Sequence, residues 1–114
     1  MTLDELVTAI RITSSDPVAF QLADLLAGWK DDKADATELE RTVERFVGNA
    51  WIASPAEHAQ IYSLWSKFRD EGINGIGGMT MNERLYRFSL FHRWDSAQTD
   101  ADRKTIYAKL LANP

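Results

Sequence analysis

The apolar positions of the chain recur at helical spacing from end to end. Leu3, Leu6, Val7 and Ile10 form a first stripe, and Val18, Leu22, Leu25, Leu26 and Trp29 a second. Leu39, Val43, Phe46, Val47 and Ala50 form a third, and Ile61, Leu64, Trp65 and Phe68 a fourth. A last one runs through Ile106, Tyr107, Leu110 and Leu111. Such i, i+3, i+4 recurrence is the signature of amphipathic helices, and no stretch alternates for long at the period of two that a strand requires.

Helix-start chemistry falls between the stripes. Thr2 with Glu5, Thr37 with Glu40 and Thr80 with Glu83 each fit a capping box, in which hydroxyl and carboxylate satisfy each other's backbone N–H. Thr99 with Asp102 has the same spacing. Asp16-Pro17 and Ser54-Pro55-Ala56-Glu57 add proline at the first helical position, where its missing N–H costs nothing. Lys30 to Ala36 reads as a polar connector, and Gly72, Gly75, Gly77 and Gly78 as the end of the fourth helix and a loop. Glycine suits the residue past a helix end because positive φ carries no Cβ penalty.

From Met81 onward the pattern becomes two-sided. Met81, Leu85, Phe88 and His92 share one face at about 100° per residue, and Tyr86, Leu90, Trp94 and Ala97 the opposite one. A helix apolar on two sides is usually enclosed by others. The expectation is an all-α fold, a single domain over residues 1–114, with about six helices around a central buried helix at about 80–97.

A chain of 114 residues suffices for one core without staples. Zero cysteines exclude disulfides and thiolate metal sites and fit a cytoplasmic protein. The start, Met1-Thr2-Leu3-Asp4-Glu5, has neither the basic nor the apolar segment of a secretory signal, and no apolar run is long enough to span a bilayer. The net charge of −4 is unevenly spread: ten acidic and five basic residues precede Trp51, seven acidic and eight basic follow. The absence of an overall basic footprint disfavours direct nucleic-acid binding. An acidic first half suits a basic protein surface or a solvated helical face.

Catalytic chemistry finds little to work with. The glycine loop (Gly75, Gly77, Gly78) ahead of Thr80 invites an anion at a helix N-terminus, yet it lacks the Lys-Ser/Thr of a Walker loop and the strand of a dinucleotide fold. His58 and His92 are the only histidines, too few for a metal site even with Asp95 near His92, and neither metal nor cofactor is expected. Ser63, Ser66, Ser89 and Ser96 lack a nucleophile elbow, and Glu71 is the one carboxylate free for acid–base work. A small-molecule or enzymatic site built from Glu71, Arg84 and His92 beside the loop is the weakest of the functional readings.

Binding residues are better represented. Trp and Arg are enriched at interface hot spots. Twelve aromatics include Trp51, which with Ile52 lies just outside a helix end. Arg84, Arg87 and Arg93 lie on the helix expected to be enclosed, where they either anchor a partner or pair with Glu83, Asp95 or the acidic first half. Met79-Thr80-Met81-Asn82-Glu83-Arg84-Leu85, with Phe88, Phe91 and Asp95 following, resembles a Met-Thr-x-Asn-Glu-Arg-Leu stretch of small proteobacterial and phage helical proteins without assigned activity. The resemblance implies a bacterial or phage origin and nothing about chemistry. The reading is a cytoplasmic, non-catalytic protein, regulator or adaptor, that binds another protein or its own copy. The alternative is a phage or mobile-element inhibitor of a host system.

Overall fold

The computed structural model describes residues 1–114 and contains helices only. The order is α1 (Leu3–Thr13), α2 (Pro17–Trp29), α3 (Ala36–Asn49), α4 (Pro55–Phe68), a π turn (Arg69–Ile73), a 3-10 turn (Ile76–Gly78), α5 (Met81–Arg87), α6 (Phe91–Asp95) and α7 (Asp100–Lys109). Seven α-helices replace the six expected, because the segment at 80–97 is two. No helix is long and apolar enough to cross a membrane.

Most starts are where the sequence puts them. The Thr2–Glu5 and Thr80–Glu83 boxes are both reciprocal, and Asp16, Ser54 and Thr99 cap their helices. The third helix differs: its box is Asp35 with Glu38, two residues ahead of Thr37 and Glu40. Both pairs satisfy the local rule, and contacts beyond the cap itself choose between them. Trp29 donates its indole N–H to the Asp35 carbonyl at 3.1 Å, and Ala36 is wholly buried, so the turn must begin there.

The core forms around α1 rather than around residues 80–97. Leu3, Leu6, Val7 and Ile10 of α1 are all buried, and α1 packs on both α2 and α4. α3 closes against α2 through Leu39 and Val43. A chain of rings, Trp29, Phe88, Phe68 and Trp65, joins α2, the end of α5 and α4 with centroid separations of 5.5, 5.6 and 6.2 Å.

The expected central helix breaks at Phe88–Leu90. Ser89 takes φ 57, and the Leu90 N–H turns back to the Leu85 carbonyl at 2.9 Å, a Schellman ending made without glycine. A contact remote in sequence holds it: the Asp4 N–H, one of the orphan donors of α1, donates to Ser89 Oγ at 3.0 Å. Past the break α6 buries none of its residues, Tyr86 is 63 % exposed, and His92 faces solvent rather than a core. The two-sided pattern therefore marks a turn with Phe88 and Leu90 inside it, not one enclosed rod.

The glycines also act differently from the expectation. None has positive φ, and Gly72 is buried within the π turn instead of ending the helix. A Cβ on Gly75 would stand 2.9 Å from the Glu71 carbonyl oxygen, so only glycine allows that return of the backbone. Gly77 and Gly78 face open space and are not required by packing.

Candidate interaction site

The three arginines proposed as partner contacts are engaged within the chain. Arg84 is buried; it donates to the carbonyls of Leu110 (3.0 Å), Leu111 (2.9 Å) and Met79 (3.2 Å), capping the end of α7. Its partners are backbone carbonyls, not the carboxylates expected, and burial removes it from any docking surface. Arg87 donates to the Met1 carbonyl at 3.0 Å and lies 3.7 Å from Glu71. Arg93 pairs with Asp31, so part of the acidic first half meets the basic second half internally.

Beside the glycine loop the proposed ligand residues do not converge. Glu71 faces Arg87, Arg84 faces the end of α7, and His92 is exposed. Thr80 Oγ is already the acceptor for the Glu83 N–H, and α5 is only seven residues long. The nearby groove, about 300 Å³ between Met79, Asn82, Glu83, Tyr86, Arg87 and Phe91, is open and is lined by none of Gly75, Gly77 or Gly78.

The corner between α3 and α4 is a better-formed site. Its side chains divide: Ile52 points into the core at 6 % exposure, and Trp51 points out at 71 %. Ile52 is therefore an anchor, not the docking residue the sequence proposes. Two hydrogen bonds fix the backbone behind Trp51. The Ile52 N–H donates to His58 Nδ1 at 3.4 Å, which leaves the ring proton on Nε2, and the Ala53 N–H donates to Asp16 Oδ2 at 3.0 Å. The indole stacks on the His58 ring with centroids 4.6 Å apart and planes 16° from parallel.

Trp51 walls an open groove of about 500 Å³ with Glu44, Val47, Gly48, His58, Ala59 and Tyr62. Val18, Leu22, Phe46, Ala50 and Ile61 form a closely packed apolar seam, with only about 10 Å³ of free space, that shares Val47, His58 and Tyr62 with the groove. Glu44 accepts from Trp65 Nε1 at 3.0 Å and from Arg69 at 2.5 Å; Asp70 first, then Glu44, hold the Arg69 guanidinium firmly charged. The groove thus offers a flat indole, a phenol and aliphatic floor, with its one carboxylate already neutralised. No three His, Asp or Glu side chains cluster as a metal site.

No protein family, curated protein or solved structure matches this chain.

Sequence reasoning pointed to Trp51 but missed Asp16 as more than a helix cap, and missed Lys109 altogether. Asp16 binds Val18 N–H with one oxygen and Ala53 N–H with the other; only the first is legible from Asp-Pro. These donors hold its carboxyl below the usual carboxylate range. Backbone and hydroxyl partners at Thr2 and Thr80 do the same for Glu5 and Glu83, and the Arg93 guanidinium for Asp31. A carboxyl with a lower pKa folded than unfolded stabilises fully above its unfolded value, and that contribution is lost as pH falls toward the folded value. Urea midpoints should accordingly fall as pH drops below about 4, and Asp16→Asn should flatten part of the slope. A midpoint unchanged through that window would contradict these assignments.

Proposed function

We propose that the protein is a small non-catalytic binding module of the cytoplasm that engages another protein, or a second copy of itself, through the Trp51 corner. The observation that carries this reading is an indole 71 % exposed yet held in one place by Ile52, Asp16 and His58. An exposed tryptophan gains nothing for the isolated fold, whereas an ordered one can be buried by a partner with little further loss of freedom. Val47 and Ala59 beside the indole supply aliphatic surface for such an anchor's surroundings.

Trp51→Ala tests it. Folding stability should change by about 1 kcal/mol or less, since the side chain is mostly in solvent. Binding should weaken about 30-fold or more, the loss expected of a hot-spot residue worth about 2 kcal/mol. Pull-downs from bacterial lysate with the two proteins, and light scattering across concentration, supply the readout. A stoichiometric partner retained equally by Trp51→Ala, or a wild type that captures nothing and stays monomeric, defeats the proposal. The identity of a captured protein separates a regulator from an inhibitor of a host system.

A further inference from the structure

We infer that the connector between α2 and α3, with the face of Trp29, forms a receptor for a primary ammonium group, filled in the resting molecule by Lys109 of the same chain. Lys109 is 4 % exposed although it is a lysine in a terminal helix. Its Nζ donates to the carbonyls of Ala34 at 2.7 Å and Asp32 at 2.8 Å and to Asp32 Oδ1 at 3.1 Å. It also stands 4.0 Å over the Trp29 ring. An alkylammonium has three N–H donors and no acceptor, and here it meets three oxygens and one aromatic face.

The oxygens are arranged by the connector itself. The Ala34 N–H donates to Asp32 Oδ1 at 2.9 Å, fixing the oxygen that also accepts from Lys109. The Asp31 and Asp32 N–H groups donate to Gly28 and Trp29 carbonyls, and the Trp29 indole N–H is tied to Asp35. Such a site selects its ligand by shape. A planar guanidinium does not match three oxygens converging on one point, and a quaternary ammonium leaves all three without a donor.

The occupant is delivered by a short helix. Along its ten residues α7 buries only Ile106 and Lys109. Tyr107 packs edge-on to Trp94, and Arg84 caps the end. Filling the receptor is therefore one of a few docking contacts of α7, and an external ammonium of the right length substitutes for the side chain once it is cut back.

Lys109→Ala removes three methylenes and the ammonium, the equivalent of n-propylammonium. Thermal midpoints of this variant should rise saturably with n-propylammonium chloride, beyond the rise given by equal tetramethylammonium chloride, which controls for general salt effects. The wild type, its receptor full, should respond equally to both salts. Should Lys109→Ala be unfolded without additive, n-propylammonium at up to about 1 M should restore its far-UV helical signal. Equal responses of folded Lys109→Ala to the two salts, or failure to restore helicity to an unfolded one, overturns the inference. A Lys109→Arg variant as stable as the wild type overturns the stated selectivity.

Discussion

Phe88→Ala should lower the unfolding free energy by about 3–5 kcal/mol, the range for emptying a buried aromatic site. Phe88 is completely buried and is the middle link of the ring chain, tilted against Trp29 and edge-on to Phe68. Its removal separates α2 from α4 at the point where α5 turns away, and the surrounding rings are too rigid to collapse into the space. Since a domain of this size is typically stable by only about 5–15 kcal/mol, the variant should sit near its unfolding transition at physiological temperature. Phe88→Leu should retain most of the packing and lose about 1–2 kcal/mol. Urea titration followed by far-UV circular dichroism decides it, and a loss below about 1 kcal/mol for Phe88→Ala would mean that the ring chain is not the centre of the core.

Arg84→Met should cost about 2–4 kcal/mol, for a different reason. The methionine fills much of the volume but leaves the carbonyls of Leu110, which is buried, and Leu111, which is partly open, without their shared donor. Leu111 has φ 56, and the Ala112 N–H closes back on the Tyr107 carbonyl at 2.8 Å, so the end of α7 is a second glycine-free Schellman turn. Without the guanidinium that turn has little to hold it. Arg84→Lys should recover little, because one ammonium cannot reach the Met79 carbonyl and both distal ones with a rigid fork. Amide exchange should show α7 losing protection before α1 and α2 do. Uniform loss across all helices would instead place Arg84 in the main cooperative core.

These two residues also mark where local reading of the chain stops. Phe88 is recognisable as core from its spacing, but nothing in Arg87-Phe88-Ser89-Leu90 announces a helix end. There is neither glycine nor proline, and the left-handed Ser89 is held by an N–H that lies 85 residues away in sequence. Arg84 reads as a partner anchor or an ion-paired arginine on an enclosed helix; two of its carbonyl partners instead come from the far end of the last helix. The glycine loop misleads in the opposite direction, since a conspicuous run of glycines contains one position, Gly75, where the backbone return demands that residue.

At the candidate site the division is equally clear. The Asp-Pro and Ser-Pro starts and the exposed tryptophan between two helices are visible in the letters. That Ile52 turns inward, that His58 lies under the indole and that Asp16 grips Ala53 depend on α2 and α4 both being held against α1. Lys109 could not be found at all, because its receptor lies some 75 residues earlier and a lysine near a helix end is ordinarily a solvated charge.

By itself the sequence determined the all-α class, the starts of the four helices from Leu3 to Phe68 to within two residues, and the caps at Thr2, Asp16, Ser54, Thr80 and Thr99. Those features depend on hydrogen bonds and side-chain spacing within a single turn or two, which neighbouring residues settle among themselves. Only the tertiary structure decided which of two capping boxes opens α3, where the chain breaks after α5, and which cations are sealed inside. Those choices rest on contacts made outside the element itself: Trp29 on Asp35, Asp4 on Ser89, and Arg84 and Lys109 on carbonyls of distant segments. Local periodicity carries no record of such partners.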